Sequence, residues 1–115
     1  MLPLWGPETV YRFRDQAAYS DTLEACSGRE AYKRYSQTSL QTIAAVGGSV
    51  IFSGKAHESL IAPQGETWHQ VFLVRYPSVA AFRSMLSMPQ YQASVRHRTA
   101  ALEDSRLTPI TPFQA

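Results

Sequence analysis

Three short stretches alternate with period two, two longer stretches repeat at helical spacing, and a proline-bearing segment closes the chain. Together they predict an α+β fold of the ferredoxin-like type, βαββαβ: a four-stranded antiparallel sheet with its helices on one face. The 115 residues suit a single domain spanning 1–115, with a core over about 9–107.

Val10 to Arg14 forms the first strand, with Tyr11 and Phe13 on one face and Val10, Arg12 and Arg14 on the other. After a polar segment, Ser27-Gly28-Arg29-Glu30 fits a capping box, in which the Ser27 hydroxyl and Glu30 carboxylate satisfy amides of a first helical turn. Tyr32, Tyr35, Leu40, Ile43 and Val46 supply the apolar stripe of that helix, and Gly47-Gly48 ends it. In the second strand, Ser49 to His57, Val50 and Phe52 are set against Ser49, Ile51 and Ser53, with Gly54 a bulge or a point of close approach. Glu58 to Thr67 holds Pro63, Gln64 and Gly65, a turn cluster too long for a tight hairpin and therefore a loop. The third strand, Trp68 to Tyr76, carries Val71-Phe72-Leu73-Val74, apolar on both faces. Pro77-Ser78 opens a second helical region striped by Val79, Phe82, Met85 and Leu86. Pro89 suits the first turn of a new helix running through Tyr91, Val95, Arg98 and Leu102. Pro109 and Pro112 confine Leu107 to Phe113 to an edge strand or an extended tail.

Helices can cover only one face of this sheet, yet strand three is apolar on both. Two protomers are therefore expected to press their bare faces together as an isologous homodimer. Charged residues at 17% and aromatics at 11% fit a surface partly hidden in such an assembly. Eleven Lys and Arg against nine Asp and Glu leave a formal charge of +2, without the concentrated basic face of a nucleic-acid binder. No apolar run approaches the ~20 residues that cross a bilayer, and Met1-Leu2-Pro3-Leu4-Trp5 lacks the basic flank and length of a secretion signal. A cytoplasmic location is expected, with no membrane partner. The single cysteine, Cys26, excludes an intramolecular disulfide and suits a reducing compartment.

Several side chains are candidates for chemistry. Arg12 and Arg14 share a strand face where two guanidinium groups can hold a carboxylate or phosphate; the alternative is rim pairing with Asp or Glu. Tyr91 and Arg98 lie seven residues apart and so share a helical face, where a phenol and a guanidinium can flank a polar ligand; the alternative, and the commoner case, is a buried Arg satisfied within the fold. Tyr32, Tyr35, Tyr91 and Trp68 can line a pocket for a planar molecule, or simply fill the core. His69, at the mouth of the long loop, can move protons near neutral pH, or is simply an exposed strand-end histidine, which is the commoner case. His57, His69 and His97 fall on separate elements without metal-ligand spacing, so no metal is expected. Cys26 precedes a helix cap, where a thiolate is favoured, or forms the apolar half of a staple with Ala31. No glycine-rich phosphate loop is present, so no nucleotide cofactor is expected.

Tyr76-Pro77-Ser78 followed by Phe82, Met85, Pro89-Gln90-Tyr91-Gln92 and Arg98 resembles the uncharacterised bacterial family called domain of unknown function 1330. Gly47-Gly48, Gly54 and the Trp68 strand add to the likeness, as do the segments Ser27 to Tyr32 and Arg98 to Ser105. The resemblance runs from strand one to Leu107 and implies the dimeric α+β barrel superfamily. Two departures bear on chemistry. His69 stands where relatives commonly carry Asp, and Met88-Pro89-Gln90-Tyr91 replaces a Ser-Pro-Glu-Tyr segment, so two carboxylates are missing and Gln90 can only hydrogen-bond. Similar barrels host cofactor-free monooxygenases, lactone isomerases and haem enzymes, which makes the fold a poor guide to reaction.

Two functional classes follow. In the first, a helix-to-sheet cleft binds a small organic molecule, anionic or aromatic, using Arg12, Tyr32, Trp68 and Arg98. If the protein is an enzyme, a cofactor-free oxidation or isomerisation fits, with His69, Tyr91 or Tyr35 moving protons and Arg12 or Arg98 stabilising negative charge. In the second, the apolar surfaces serve only a non-catalytic assembly or regulatory role.

Overall fold

In a computed structural model of the chain, residues 6–111 and 113 are described; Met1 to Trp5, Pro112, Gln114 and Ala115 lie outside them. The elements in order are β1 (Gly6–Phe13), α1 (Gly28–Ala45), β2 (Ser49–Lys55), β3 (Gln70–Arg75), α2 (Val79–Leu86), α3 (Pro89–Ala101) and β4 (Leu102–Ile110), with a single 3-10 turn at Thr22–Glu24. The sheet order is β2-β3-β1-β4, antiparallel at every neighbouring pair. This is the ferredoxin-like arrangement expected from the element pattern. No helix among the described residues is long and apolar enough to cross a membrane.

Alternation along β1 sends Pro7, Thr9, Tyr11 and Phe13 under the helices and leaves Glu8, Val10 and Arg12 toward the other face. The strand begins earlier than its apolar pattern predicts because Gly6 and Pro7 pair with Ile110 and Pro109 of edge strand β4. β4 also begins earlier, at Leu102, rather than continuing α3 to that residue and pairing only from Leu107. Its Glu103-Asp104-Ser105-Arg106 run has poor strand propensity, but the ladder to β1 and a bulge opposite Arg12 and Phe13 override it.

A second correction concerns β2. The bulge lies between Val50 and Phe52, not at Gly54. Because of the extra residue, Val50 pairs with Val74 on the helix side while Phe52 pairs with Leu73 on the opposite side, so the two do not share a face. Gly54 is instead a close approach: a Cβ there would sit 3.2 Å from the Phe52 ring.

The Ser27 hydroxyl accepts the Glu30 amide at 3.1 Å and starts α1, while Gly47, at φ +81°, turns the chain out of it. Leu40 is 46% exposed, off the buried stripe of Ala31, Tyr35, Ser39, Thr42 and Ile43. Five residues after Tyr35, it is rotated by about 140° around the helix, whereas Ser39 returns to the stripe. Pro89 occupies the first turn of α3, as its chemistry demands.

The core has two centres. One gathers Tyr11, Phe13, Ala31, Ala101 and Leu102, the other Ile43, Val74, Tyr76 and Met85, and Phe72 packs against both. On the face away from the helices lie Val10, Val71, Leu73 and Phe52, the last 57% exposed.

Candidate functional site

A cavity of about 280 Å³ opens between the helices and the sheet. That is near the lower end of the roughly 300–1,000 Å³ of ligand sites and admits a molecule about the size of one substituted ring. α1 contributes Tyr32, Tyr35, Ser36 and Ser39; α3 contributes Tyr91 and Arg98. Phe72, Val74 and Tyr76 form the sheet wall, and Phe82 and Met85 of α2 close one end. The opening follows from side-chain size: Ser36 and Ser39 stand where leucines would fill the gap between α1 and the sheet.

The polar groups of this cavity are phenols, the hydroxyls of Thr9, Ser36, Ser39 and Ser105, and a single cation. Tyr35 and Tyr91 hydroxyls hydrogen-bond at 2.9 Å, their rings edge-on with centroids 6.0 Å apart. Tyr32 lies 5.3 Å from the Tyr35 ring, and Tyr11 packs 4.6 Å behind Tyr32. Burial, reinforced by the neighbouring phenols, pushes Tyr32 and Tyr35 far above the usual phenol range; Arg98 pulls weakly the other way. Both therefore stay protonated and act as hydrogen-bond donors. The buried Tyr11 hydroxyl, although beside Tyr32, makes no hydrogen bond of acceptable geometry within the described residues. Tyr76 donates to the Met85 sulfur at 3.7 Å.

Arg98 is half-buried and is the one charged side chain among the lining residues. Ion pairs among the described residues join Arg12 to Glu103, Arg96 to Glu24 and Arg106 to Asp104, and none involves Arg98. An incompletely solvated guanidinium without a carboxylate is a ready partner for an anion.

Of the candidate residues in the sequence, the structure brings Tyr32, Tyr35, Tyr91 and Arg98 to this cavity and leaves Arg12, Trp68 and His69 outside it. Arg12 alternates away from Tyr11; its Nε donates to Glu103 at 3.0 Å and its Nη1 to the Thr67 carbonyl at 2.8 Å, which is the rim pairing rather than an anion clamp. The Arg12 and Arg106 guanidinium groups both lie over the Trp68 ring, 5.8 and 5.3 Å from its centroid. The His69 Nδ1 accepts the Phe13 amide at 2.9 Å, which leaves the proton of the neutral ring on Nε2. His69 lines a separate groove with Arg12, Arg14 and Glu103. Cys26 is half-buried against the centre that contains Ala31, as a staple requires. Among the described residues no group of three His, Cys, Asp or Glu is placed to hold a metal ion.

Tyr11, Tyr76 and the two serines are not candidates on sequence alone. Tyr76 continues the period-two series of Phe72 and Val74, and Ser39 sits one turn beyond Tyr35; these spacings are the signals that point to them.

A second polar cluster ties the Asp15 to Ala25 segment to the helices. Tyr19 shares a 2.5 Å hydrogen bond with His97 Nδ1, and Arg34 and Arg96 pack on the Tyr19 ring at 5.5 and 5.8 Å. Arg96 also binds Glu24 through two contacts of 2.6 and 2.9 Å. Desolvation, with Arg96 and Arg34, lowers the His97 pKa against the opposing pull of Glu24. A histidine held neutral in the fold contributes stability above its unfolded pKa of about 6.5 and loses it as pH falls. The thermal midpoint should therefore drop between pH 7.5 and 5.5, and His97→Gln should drop less over that interval. Parallel curves for the two proteins would refute the assignment.

The sequence matches the family model described as "Domain of unknown function (DUF1330)" over residues 17–108. A crystal structure of a protein of unknown function from Rhodopseudomonas palustris is 38% identical, with TM-score 0.90, covering 100% of this chain and 86% of that one. A dimeric protein of unknown function and ferredoxin-like fold from Bacteroides fragilis is 11% identical, with TM-score 0.58 and coverage of 94% and 95%. A dabb family protein with a ferredoxin-like fold from Mesorhizobium loti is 18% identical, with TM-score 0.57 and coverage of 97% and 99%. Comparison with curated proteins gives no match.

Proposed function

The chain belongs to the family of domain of unknown function 1330, and for this member we propose a cytoplasmic homodimer whose helix-to-sheet cavity binds a small organic anion with a planar body. The observation that carries this reading is Arg98, a half-buried cation with no carboxylate partner among the described residues, in a cavity whose other lining residues are uncharged. Rings and apolar side chains supply the body of the site, while Arg98, Tyr35 and Tyr91 supply donors for a negatively charged oxygen. A hydrogen bond to a charged group is worth about 1.5–3 kcal/mol, enough to select an anion over a neutral isostere. The unpaired, half-buried Cys26 fits a reducing compartment. The homodimer reading rests on the apolar patch that Val10, Val71, Leu73 and Phe52 form on the outer face of the sheet, beside Glu8 and Arg12.

Calorimetry with benzoate, benzyl alcohol and benzylamine tests the site. Benzoate should bind best, and Arg98→Gln should weaken it by about 10- to 100-fold. Equal binding of the amine, or benzoate affinity indifferent to Arg98→Gln in a folded variant, would overturn the reading.

A further inference from the structure

Deepening that reading, and resting on it, we propose that the cavity takes its ligand as a ring-conjugated oxyanion, a phenolate or enolate, whose charged oxygen is held by Arg98 and the Tyr35–Tyr91 pair. Three observations converge on this class.

The first is donor arithmetic. In the Tyr35–Tyr91 contact at 2.9 Å, one hydroxyl proton is used inside the pair, which leaves one phenol O–H to donate elsewhere. One outward O–H and one guanidinium form a short, charge-assisted cradle for a single oxygen. The buried Tyr32 phenol stands beside Tyr35, its ring 5.3 Å away, and reinforces the donor character of this corner.

The second is the absence of a base from the lining. Among the described residues, the side chains facing the cavity include no carboxylate, imidazole or amine. Phenolate forms of Tyr32 and Tyr35 are disfavoured by burial, so these residues give hydrogen bonds and do not collect protons. A ligand proton is therefore lost to bulk solvent and not to the site, and the ligand that binds as an anion at least cost is one whose conjugate acid titrates near or below neutral pH.

The third is the wall. Phe72, Phe82 and Met85 give the site an apolar wall, and the other polar groups, the Thr9, Ser36, Ser39 and Ser105 hydroxyls, are uncharged. A compact carboxylate loses strong hydration at both oxygens on entering such a space, whereas a charge spread over a ring is less tightly hydrated and easier to transfer. The ring systems also offer edges and faces to a planar body. One cation, the outward phenol of the Tyr35–Tyr91 pair and aromatic walls therefore favour a delocalised oxyanion over a carboxylate of similar size.

4-Nitrophenol is the probe, because its anion is yellow and its acid colourless. Titrated with excess protein across its ionisation range, it should show an apparent midpoint lowered by at least about one pH unit, a tenfold preference for the anion. Tyr35→Phe combined with Tyr91→Phe, which keeps both rings and removes both hydroxyls, should reduce that preference by several-fold, and Arg98→Gln should abolish it. Arg98→Lys, which restores the charge, should recover part of it and so separates a binding effect from misfolding. If nitrophenol binds in its colourless form while benzoate still binds through Arg98, the oxyanion inference falls and the broader anion reading stands. If neither compound binds, both fall.

Discussion

Leu73→Asp should turn the proposed dimer into a monomer, weakening association by at least about 100-fold while leaving the fold intact. Leu73 pairs with Glu8 of β1 and Phe52 of β2, and its neighbours Phe72 and Val74 belong to the helix-side core, so alternation sends Leu73 to the outer face. There it joins Val10, Val71 and the 57% exposed Phe52 in an apolar patch. A stable interface hides about 800 Å² on each partner, and in an isologous dimer every substitution occurs twice across the symmetry axis. Two carboxylates buried without partners cost about 3–5 kcal/mol each, far more than the hydrophobic contact they replace. Phe72→Asp is the informative contrast. Phe72 packs against both core centres and lines the cavity, so that variant should unfold rather than dissociate. Sedimentation across a concentration series distinguishes the two. A Leu73→Asp protein that remains dimeric with unchanged affinity would place the interface elsewhere.

What the sequence discloses depends on how local the cause is. The alternating faces of β1, the Ser27 cap, the helix stop at Gly47 and the new start at Pro89 are each settled within a few residues, and all are visible as patterns. The start of β4 is settled by a partner strand about ninety residues away in sequence, so its Glu103-Asp104-Ser105-Arg106 run carries no strand signal. The β2 bulge is similar: one extra residue at Ile51 reverses the face of Phe52, and only the register with β3 reveals it. The site divides along the same line. Tyr91 and Arg98 meet because seven residues return a helix to one face, which can be read directly. Tyr35 meets Tyr91 through the packing of α1 on α3, and composition alone could not separate these cavity tyrosines from Trp68, which sits with Arg12 and Arg106. An aromatic side chain has the same hydrophobic value on either side of a sheet; topology decides which side it occupies.

Gly28→Ala should destabilise the protein by roughly 3 kcal/mol or more, at or above the upper range for overpacking. In an ordinary exposed helix the same change would stabilise by up to about 1 kcal/mol, so the sign itself is diagnostic. Gly28 is the first residue of α1, where the end of β1 and the end of α3 converge. Its amide donates to the Arg14 carbonyl at 3.0 Å, and the Arg14 amide donates to the Ala101 carbonyl at 2.9 Å. A Cβ on Gly28 would lie 2.2 Å from the Arg14 oxygen, 2.6 Å from the Ala101 oxygen and 2.8 Å from the Arg14 nitrogen. All three are backbone atoms, so no rotamer change can clear the space. Relief requires moving α1 away from β1 and α3, which strains both hydrogen bonds and shifts the two helices that carry Tyr35 and Tyr91. The damage should thus reach the cavity as well as the fold: anion binding should weaken even in conditions where the variant remains folded. Gly65→Ala provides the control. Gly65 also lacks a side chain, but it lies in the long loop at φ +81°, and a Cβ there would meet nothing within 4 Å. Its replacement should cost only the backbone strain of about 1 kcal/mol and leave binding unchanged. Urea denaturation of both variants measures the difference, and a Gly28→Ala protein as stable as Gly65→Ala would refute the three-segment contact.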